Sequence, residues 1–382
     1  MKKILVMAAA ALFVFGMSTP SWAVADFAIG ASVRIDAGWQ LTDLGDQNEP
    51  GGEDSQTQFF LQRPGNSRIN FKATVGDVTG FVEFSDTPTL RHAYASWDMG
   101  GGSSMLFGQT WSIMAFGFTD QRLNGDLANI GFGTLYFGRN PQIRYTYAGE
   151  AFTVEVAIED NDKSTALGPA GSAAYLAEDF LPMFIANVTF KPLEMLTLTP
   201  SAFYQSFDLT GIAPGTSDVD IDSFGFALDG RVDFEMFRIS FEGWIGENLG
   251  VAASSFDIRP AGATVGAGVP VPDAAATDVE DVSSWGGFVQ LTFRFEPAIL
   301  NIGGGFQSSD VESSPGASFE DEIETASYFI NVLYNLTDNF YVQPEISYFD
   351  YGDDATRGAF GPAGTNDLGD DIFLGVHFQA DF

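Results

Sequence analysis

Residues 27–39 alternate without a fault. Phe27, Ile29, Ala31, Val33, Ile35, Ala37 and Trp39 are apolar, whereas Ser32, Arg34, Asp36 and Gln40 are polar. A strict period of two marks a β-strand with hydrocarbon on one face and water on the other. The pattern recurs as Ile69/Phe71/Ala73/Val75 against Arg68/Asn70/Lys72/Thr74 and as Phe152/Val154/Val156/Ile158 against Thr153/Glu155/Glu159. It returns as Trp285/Val289/Leu291/Phe293 against Gln290/Thr292/Arg294, and at last as Leu374/Val376/Phe378/Ala380/Phe382 against His377/Gln379/Asp381. Charges sit in mid-strand on one face only. A soluble sandwich would bury that face at heavy cost per charge, whereas a water-filled lumen would solvate it.

Counting such segments gives strands near 27–41, 67–75, 80–85, 89–98, 104–110, 142–147, 152–159, 180–190, 196–206, 223–231, 237–246, 284–294, 299–307, 326–334, 340–349 and 372–382. That is about sixteen, an even number as a single-chain bacterial barrel requires. The connections alternate between short ones carrying turn residues, such as Gly76-Asp77 and Glu296-Pro297, and long ones at 42–66, 111–141, 160–179, 207–222, 247–283, 308–325 and 350–371. This rhythm predicts an all-β fold, a transmembrane antiparallel up-and-down β-barrel. The faces of 89–98 do not separate cleanly. Phe329, Leu333 and Phe349 fall on the lumenal face, where a plain channel would carry polar residues.

The amino end fits an exported chain. Lys2 and Lys3 precede an apolar run from Ile4 to Met17 and the small-residue site Ala23-Val24-Ala25, the layout of a signal peptide over residues 1–25, leaving 26–382 as one barrel domain. Without Lys2 and Lys3, 15 basic residues face 51 acidic ones. The 37 Phe and 43 Gly suit many short strands with exposed connections, and the absence of Cys excludes disulfides and thiol chemistry.

The segment Leu90-Arg91-His92-Ala93-Tyr94, a glycine turn, and then Gly108-Gln109-Thr110-Trp111-Ser112 resembles the signature of sixteen-stranded trimeric outer-membrane porins, most closely the DcaP-like group. The resemblance implies a third loop, residues 111–141, folded into the lumen as a constriction, with Asp120, Arg122 and Asp126 on it. It also implies a homotrimer that admits small anionic solutes, dicarboxylates among them. The third-loop segment departs from a basic ring, for it holds Phe116, Phe118, Phe132, Tyr136 and Phe137.

Arg34, Arg68, Lys72, Arg144, Arg231, Arg238 and Arg294 all fall on the face assigned to the lumen. One expectation is an arginine wall that faces Asp120 and Asp126 and sets a transverse field across the channel. The other is that these cations pair with Glu83, Glu155, Glu242 and Glu345 to brace the wall. The loop acids, Asp43, Asp46, Glu49, Glu53 and Asp54 in the first loop, Asp278, Glu280 and Asp281 in the sixth, and Glu320, Asp321, Glu322 and Glu324 in the seventh, read as solvated surface or as divalent-cation bridges near lipopolysaccharide.

Phe378 and Phe382 resemble the terminal signal by which barrel-assembly machinery recognises its clients. Trp39, Tyr145, Tyr147, Tyr334 and Tyr348 lie near strand ends, as interfacial girdles should. Catalysis is not expected, since His92 lies on a strand whose faces do not separate and His377, on the lumenal face of the last strand, has no serine or acid at a diagnostic spacing. No phosphate loop, metal-ligand spacing, cofactor motif or basic nucleic-acid patch is present. The partners expected are therefore the lipid bilayer, lipopolysaccharide and small-molecule solutes. A channel for small hydrophilic solutes is the function this pattern implies; the alternative is a closed structural or adhesive barrel with cation-binding acidic loops.

Overall fold

The computed structural model describes residues 26–43, 55–114, 117–160, 176–178, 181–210, 219–253, 256, 271–272, 279–311, 321–352 and 368–382. The signal-peptide segment, Phe116, and the loop acids Asp46, Glu49, Glu53, Asp54, Asp278 and Glu320 lie outside them.

Sixteen antiparallel strands form one closed sheet. They are β1 (Asp26–Asp43), β2 in two pieces (Ser55–Gln62 and Arg68–Val75), β3 (Val78–Ser85), β4 (Leu90–Gly100), β5 (Ser103–Trp111), β6 (Arg139–Ala148), β7 (Phe152–Glu159), and β8 in two pieces (Leu176–Glu178 and Met183–Leu193). β9 (Leu196–Thr210), β10 (Val219–Asp233), β11 (Phe237–Glu247), β12 (Val282–Phe295), β13 (Ala298–Val311), β14 (Asp321–Thr337), β15 (Phe340–Asp350) and β16 (Asp370–Asp381) complete the wall. Each strand pairs with the next, and β1 pairs with β16 in the register Asp36↔His377. Phe382 joins this seam by exchanging backbone hydrogen bonds with Ala31. Closure leaves no unpaired edge, which is what lets strands stand in lipid.

Alternation decides which way each side chain points. The outer face shows Phe27, Val33, Trp39, Phe226, Ile245, Val289 and Ile346, each at least half exposed. The inner face buries Ser32, Asp36, Ser201, Gln290, Asn331, Gln343 and Ser347. This is a soluble protein turned inside out. Trp39, Tyr145, Tyr147 and Tyr334 stand exposed on the outer face, and Tyr348 stacks on Tyr328. Among the described residues no helix is long and apolar enough to cross a membrane.

Two expectations about the strands need correction. The first long connection is 44–54 rather than 42–66, because Ser55–Gln62 continues β2 and pairs with β1 as Trp39↔Phe59. Its alternation was hidden because Phe60 points inward and packs edge-on to Phe373, so Phe59, Phe60 and Leu61 read as an unbroken apolar run. In β4 the register with β3 shifts between Glu83 and Phe84, a β-bulge at Arg91. The bulge turns both Arg91 and His92 inward, and so blurs the faces of 89–98.

Placing a charge on the outer face tests the inside-out assignment. Val289→Arg should cost about 2–4 kcal/mol, measured by denaturant unfolding in lipid vesicles. An unchanged midpoint would mean that Val289 does not face hydrocarbon.

Candidate functional site

Residues 112–138 enter the barrel rather than leaving it. Around the single turn Leu123–Asp126 the chain takes left-handed backbone angles at Asn124, Asp126, Ala128 and Asn129 (φ 62°, 65°, 54° and 59°). Such a path closes only local turns, with the Asp126 amide donating to the Arg122 carbonyl and the Phe132 amide to that of Asn129, and its other amides must find acceptors elsewhere. The wall supplies them. Glu345 accepts from the amides of Arg122 and Leu123, both at 2.8 Å, Glu242 from Leu135 at 2.6 Å, and Glu159 from Ile113 at 3.4 Å.

Donors from the wall meet the loop's carbonyls in turn. Asn331 and Gln343 both donate to the Asp120 carbonyl at 2.8 Å, and Trp244 Nε1 donates to that of Gly133 at 2.7 Å. At Gly133 (φ 112°) the loop backbone lies against Gly287, and a Cβ there would run into the Gly287 carbonyl.

A charged knot fixes the loop's tip. Asp126 pairs with Arg34 of β1 and, at 2.8 Å, with Arg122 on its own loop, and accepts from Asn66 at 2.8 Å. Burial by itself would raise the Asp126 carboxyl, but the charges of Arg122 and Arg34 outweigh it and hold the group down at about 2. Arg122 loses hydration by burial, yet Asp126 and Asp120 hold its guanidinium above the ordinary value.

The wall facing this knot is basic and aromatic. Arg91 donates to Glu83 and, through Nη1, to Asn66, both at 2.9 Å, while Arg68 stands 3.7 Å from Glu83. Asn66 thereby joins the wall to Asp126. Arg139 lies 3.6 Å over the Trp111 ring and donates to His92 and to Tyr136. Trp111, Phe118 and Tyr136 form a three-ring cluster. Five guanidiniums (Arg34, Arg68, Arg91, Arg122, Arg139) thus surround three carboxylates (Glu83, Asp120, Asp126). Water reaches the centre: the Asp120 side chain is 43% exposed, that of Arg68 30% and that of Arg122 22%.

The expected arginine wall is divided. Arg34 meets Asp126 directly and is buried, and Arg144 is spent on Glu155 and the Trp111 carbonyl. Lys72 is exposed on the inner face of β2. Arg231, Arg238 and Arg294 lie at the turn end of the barrel, paired with Asp233, so they do not face Asp120 or Asp126. Bracing by arginine holds for Glu83 and Glu155 alone, because Glu242 and Glu345 take loop amides instead. The pattern missed Arg91 and Arg139, one hidden by the bulge and the other at a strand end. Phe378 lies on the outer face of β16, and Phe382 is 75% exposed. Among the described residues neither histidine touches a serine hydroxyl; His92 meets Thr110 and His377 meets Asp36.

Two apolar cores flank the loop inside the barrel. Ile113, Met114, Leu135 and Phe137 pack with Met183, Ile185, Phe203, Trp244 and Phe256. On the other side Leu123 and Phe132 pack with Phe349 and Phe373.

No family model and no curated protein sequence matches the chain. Among solved structures, the outer-membrane channel DcaP of Acinetobacter baumannii aligns with a TM-score of 0.66 at 18% identity, over 96% of this chain and 99% of that one. OmpT of Vibrio cholerae aligns at 0.57 and 14% identity, over 95% and 99%. OmpF of Salmonella typhi, in complex with daunomycin, aligns at 0.57 and 12%, over 93% and 97%. The chain shares their fold.

The low carboxyl value of Asp126 sets a pH window. A depressed folded-state value contributes stability above the unfolded range near ~3.9, and that contribution is lost as pH falls through about 2. Limited proteolysis should find the third loop resistant at pH 4 and cleaved near pH 2, with Asp126→Asn cleaved at both. Equal resistance of wild type and variant at pH 4 would count against the knot.

Proposed function

We propose that the chain is an outer-membrane porin, a water-filled channel through which small hydrophilic solutes diffuse past the third loop, with small organic anions preferred. The observation that carries this reading is Asp120. It is held in the middle of a closed barrel by Gln290, Asn331 and Gln343, and its side chain is still 43% exposed, which supports water-filled space beside the loop. The excess of guanidiniums over carboxylates beside it gives the passage a positive field within a strongly acidic chain. Dicarboxylates suit a site whose water-accessible cations lie on both the wall (Arg68) and the loop (Arg122).

The apolar belt, the strand seam closed by Phe382 and the signal-peptide pattern all support export to an outer membrane, with barrel-assembly machinery and lipopolysaccharide as partners. Wall height supports the homotrimer. β3 and β7 have 8 residues each, whereas β9 and β10 have 15. At ~3.3 Å per residue and a tilt of ~40°, the short strands climb ~20 Å, less than an apolar band of ~25 Å. A second and third copy would cover so low a wall better than lipid does.

The two apolar cores favour a second reading, a closed structural barrel. Planar-bilayer recording separates the two. Wild type should open in steps of three and prefer anions under a salt gradient, and Arg68→Ala and Arg91→Ala should lower that preference several-fold. Protein that inserts but passes no current would establish the closed barrel.

A further inference from the structure

Three of the chain's twelve arginines meet where the constriction makes no use of them, at the turn end of β10–β12. Asp233, the last residue of β10, lies opposite Arg238 in the β10–β11 register. It accepts from Arg238 Nε at 2.5 Å and from Arg294 Nη2 at 3.1 Å on one oxygen, and stands 2.7 Å from Arg231 Nε on the other. Arg294 is held in place by its second nitrogen, which donates to the Phe234 carbonyl at 3.0 Å.

The arrangement is unlike the ion pairs deeper in the barrel, where side chains such as Arg34 and Arg91 are sealed. Here the three arginine side chains are 46%, 35% and 32% exposed. Among the described residues, the Nη groups of Arg231 and Arg238 have no protein partner, and Asp233 is the one carboxylate in contact with the cluster. Exposed ion pairs add little stability, so bracing the turn does not require three guanidiniums on one carboxylate. Guanidinium edges that converge on an inner-facing strand position are what oxyanion recognition uses.

We propose that Arg231, Arg238 and Arg294 form an oxyanion-binding station at the turn-end mouth, with Asp233 as its tethered counter-ion. A carboxylate or phosphate group on a solute occupies the free Nη edges and competes with Asp233 for the rest. That the bound solute is one leaving the channel rests on the diffusion reading; the binding itself does not.

The test is a titration of detergent-purified full-length protein with inorganic phosphate, followed by broadening of the phosphorus NMR line. Asp233→Asn keeps the shape and removes the internal competitor, and should tighten phosphate binding about tenfold. Adding Arg231→Gln and Arg238→Gln should abolish that gain. Sheet content by circular dichroism guards against misfolded variants. An unchanged affinity in Asp233→Asn overturns the proposal, as does a gain that survives loss of both arginines. Wild-type protein that carries no current would sink the diffusion reading, and the phosphate titration would still decide this site.

Discussion

The amides of Ile113, Arg122, Leu123 and Leu135 need acceptors in the middle of a barrel, far from bulk water and with no strand beside them. A buried unpaired amide costs about 1–3 kcal/mol, and several together would expel the loop. Glu159, Glu242 and Glu345 supply the acceptors, each from a different strand. The position of the constriction therefore follows from carboxylates built into the wall. Those acids would otherwise be the least tolerable residues in the sheet, so loop and wall stabilise each other and neither arrangement would persist alone.

Charge is partitioned by the same logic. The chain is strongly acidic overall, yet Arg34, Arg68, Arg91 and Arg122 gather around Glu83 and Asp126 inside the barrel. Asp126 is the pivot, because it neutralises Arg34 and Arg122 and, through Asn66, is tied to Arg91 three strands along the wall from Arg34. The knot fixes how far the loop tip stands from the basic wall. Arg68 and Arg122 keep part of their surface accessible there, whereas Arg34 is sealed.

Packing fills the space beside the loop. A sixteen-stranded barrel encloses far more room than one extended loop can fill. Phe132, Phe349 and Phe373 on one flank, and Phe137, Phe203 and Trp244 on the other, take up that room. Aromatic pairs at ring separations of 4.7–5.7 Å hold the loop laterally where its hydrogen bonds hold it vertically. The inward phenylalanines that complicate the sequence pattern are thus the lateral supports of the constriction.

By itself the sequence determined the barrel, because a period of two with charges on one face admits few other folds, and the alternation of short and long connections orders the strands. It also placed Arg34, Arg68, Lys72 and Arg144 on the inner face, since orientation in a strand depends only on parity. It failed where parity was broken or local. The bulge at Arg91 and the inward Phe60 disguised a strand face and a strand. Which cations meet which acids lay beyond it, because Asp126 and Arg34 are 92 residues apart and Glu345 and Leu123 are 222. Only closure of the barrel brings such pairs together. The division of the arginines into a constriction set and a turn-end set was likewise decided by how high each strand carries its residue up the wall, a quantity that register fixes and sequence spacing does not.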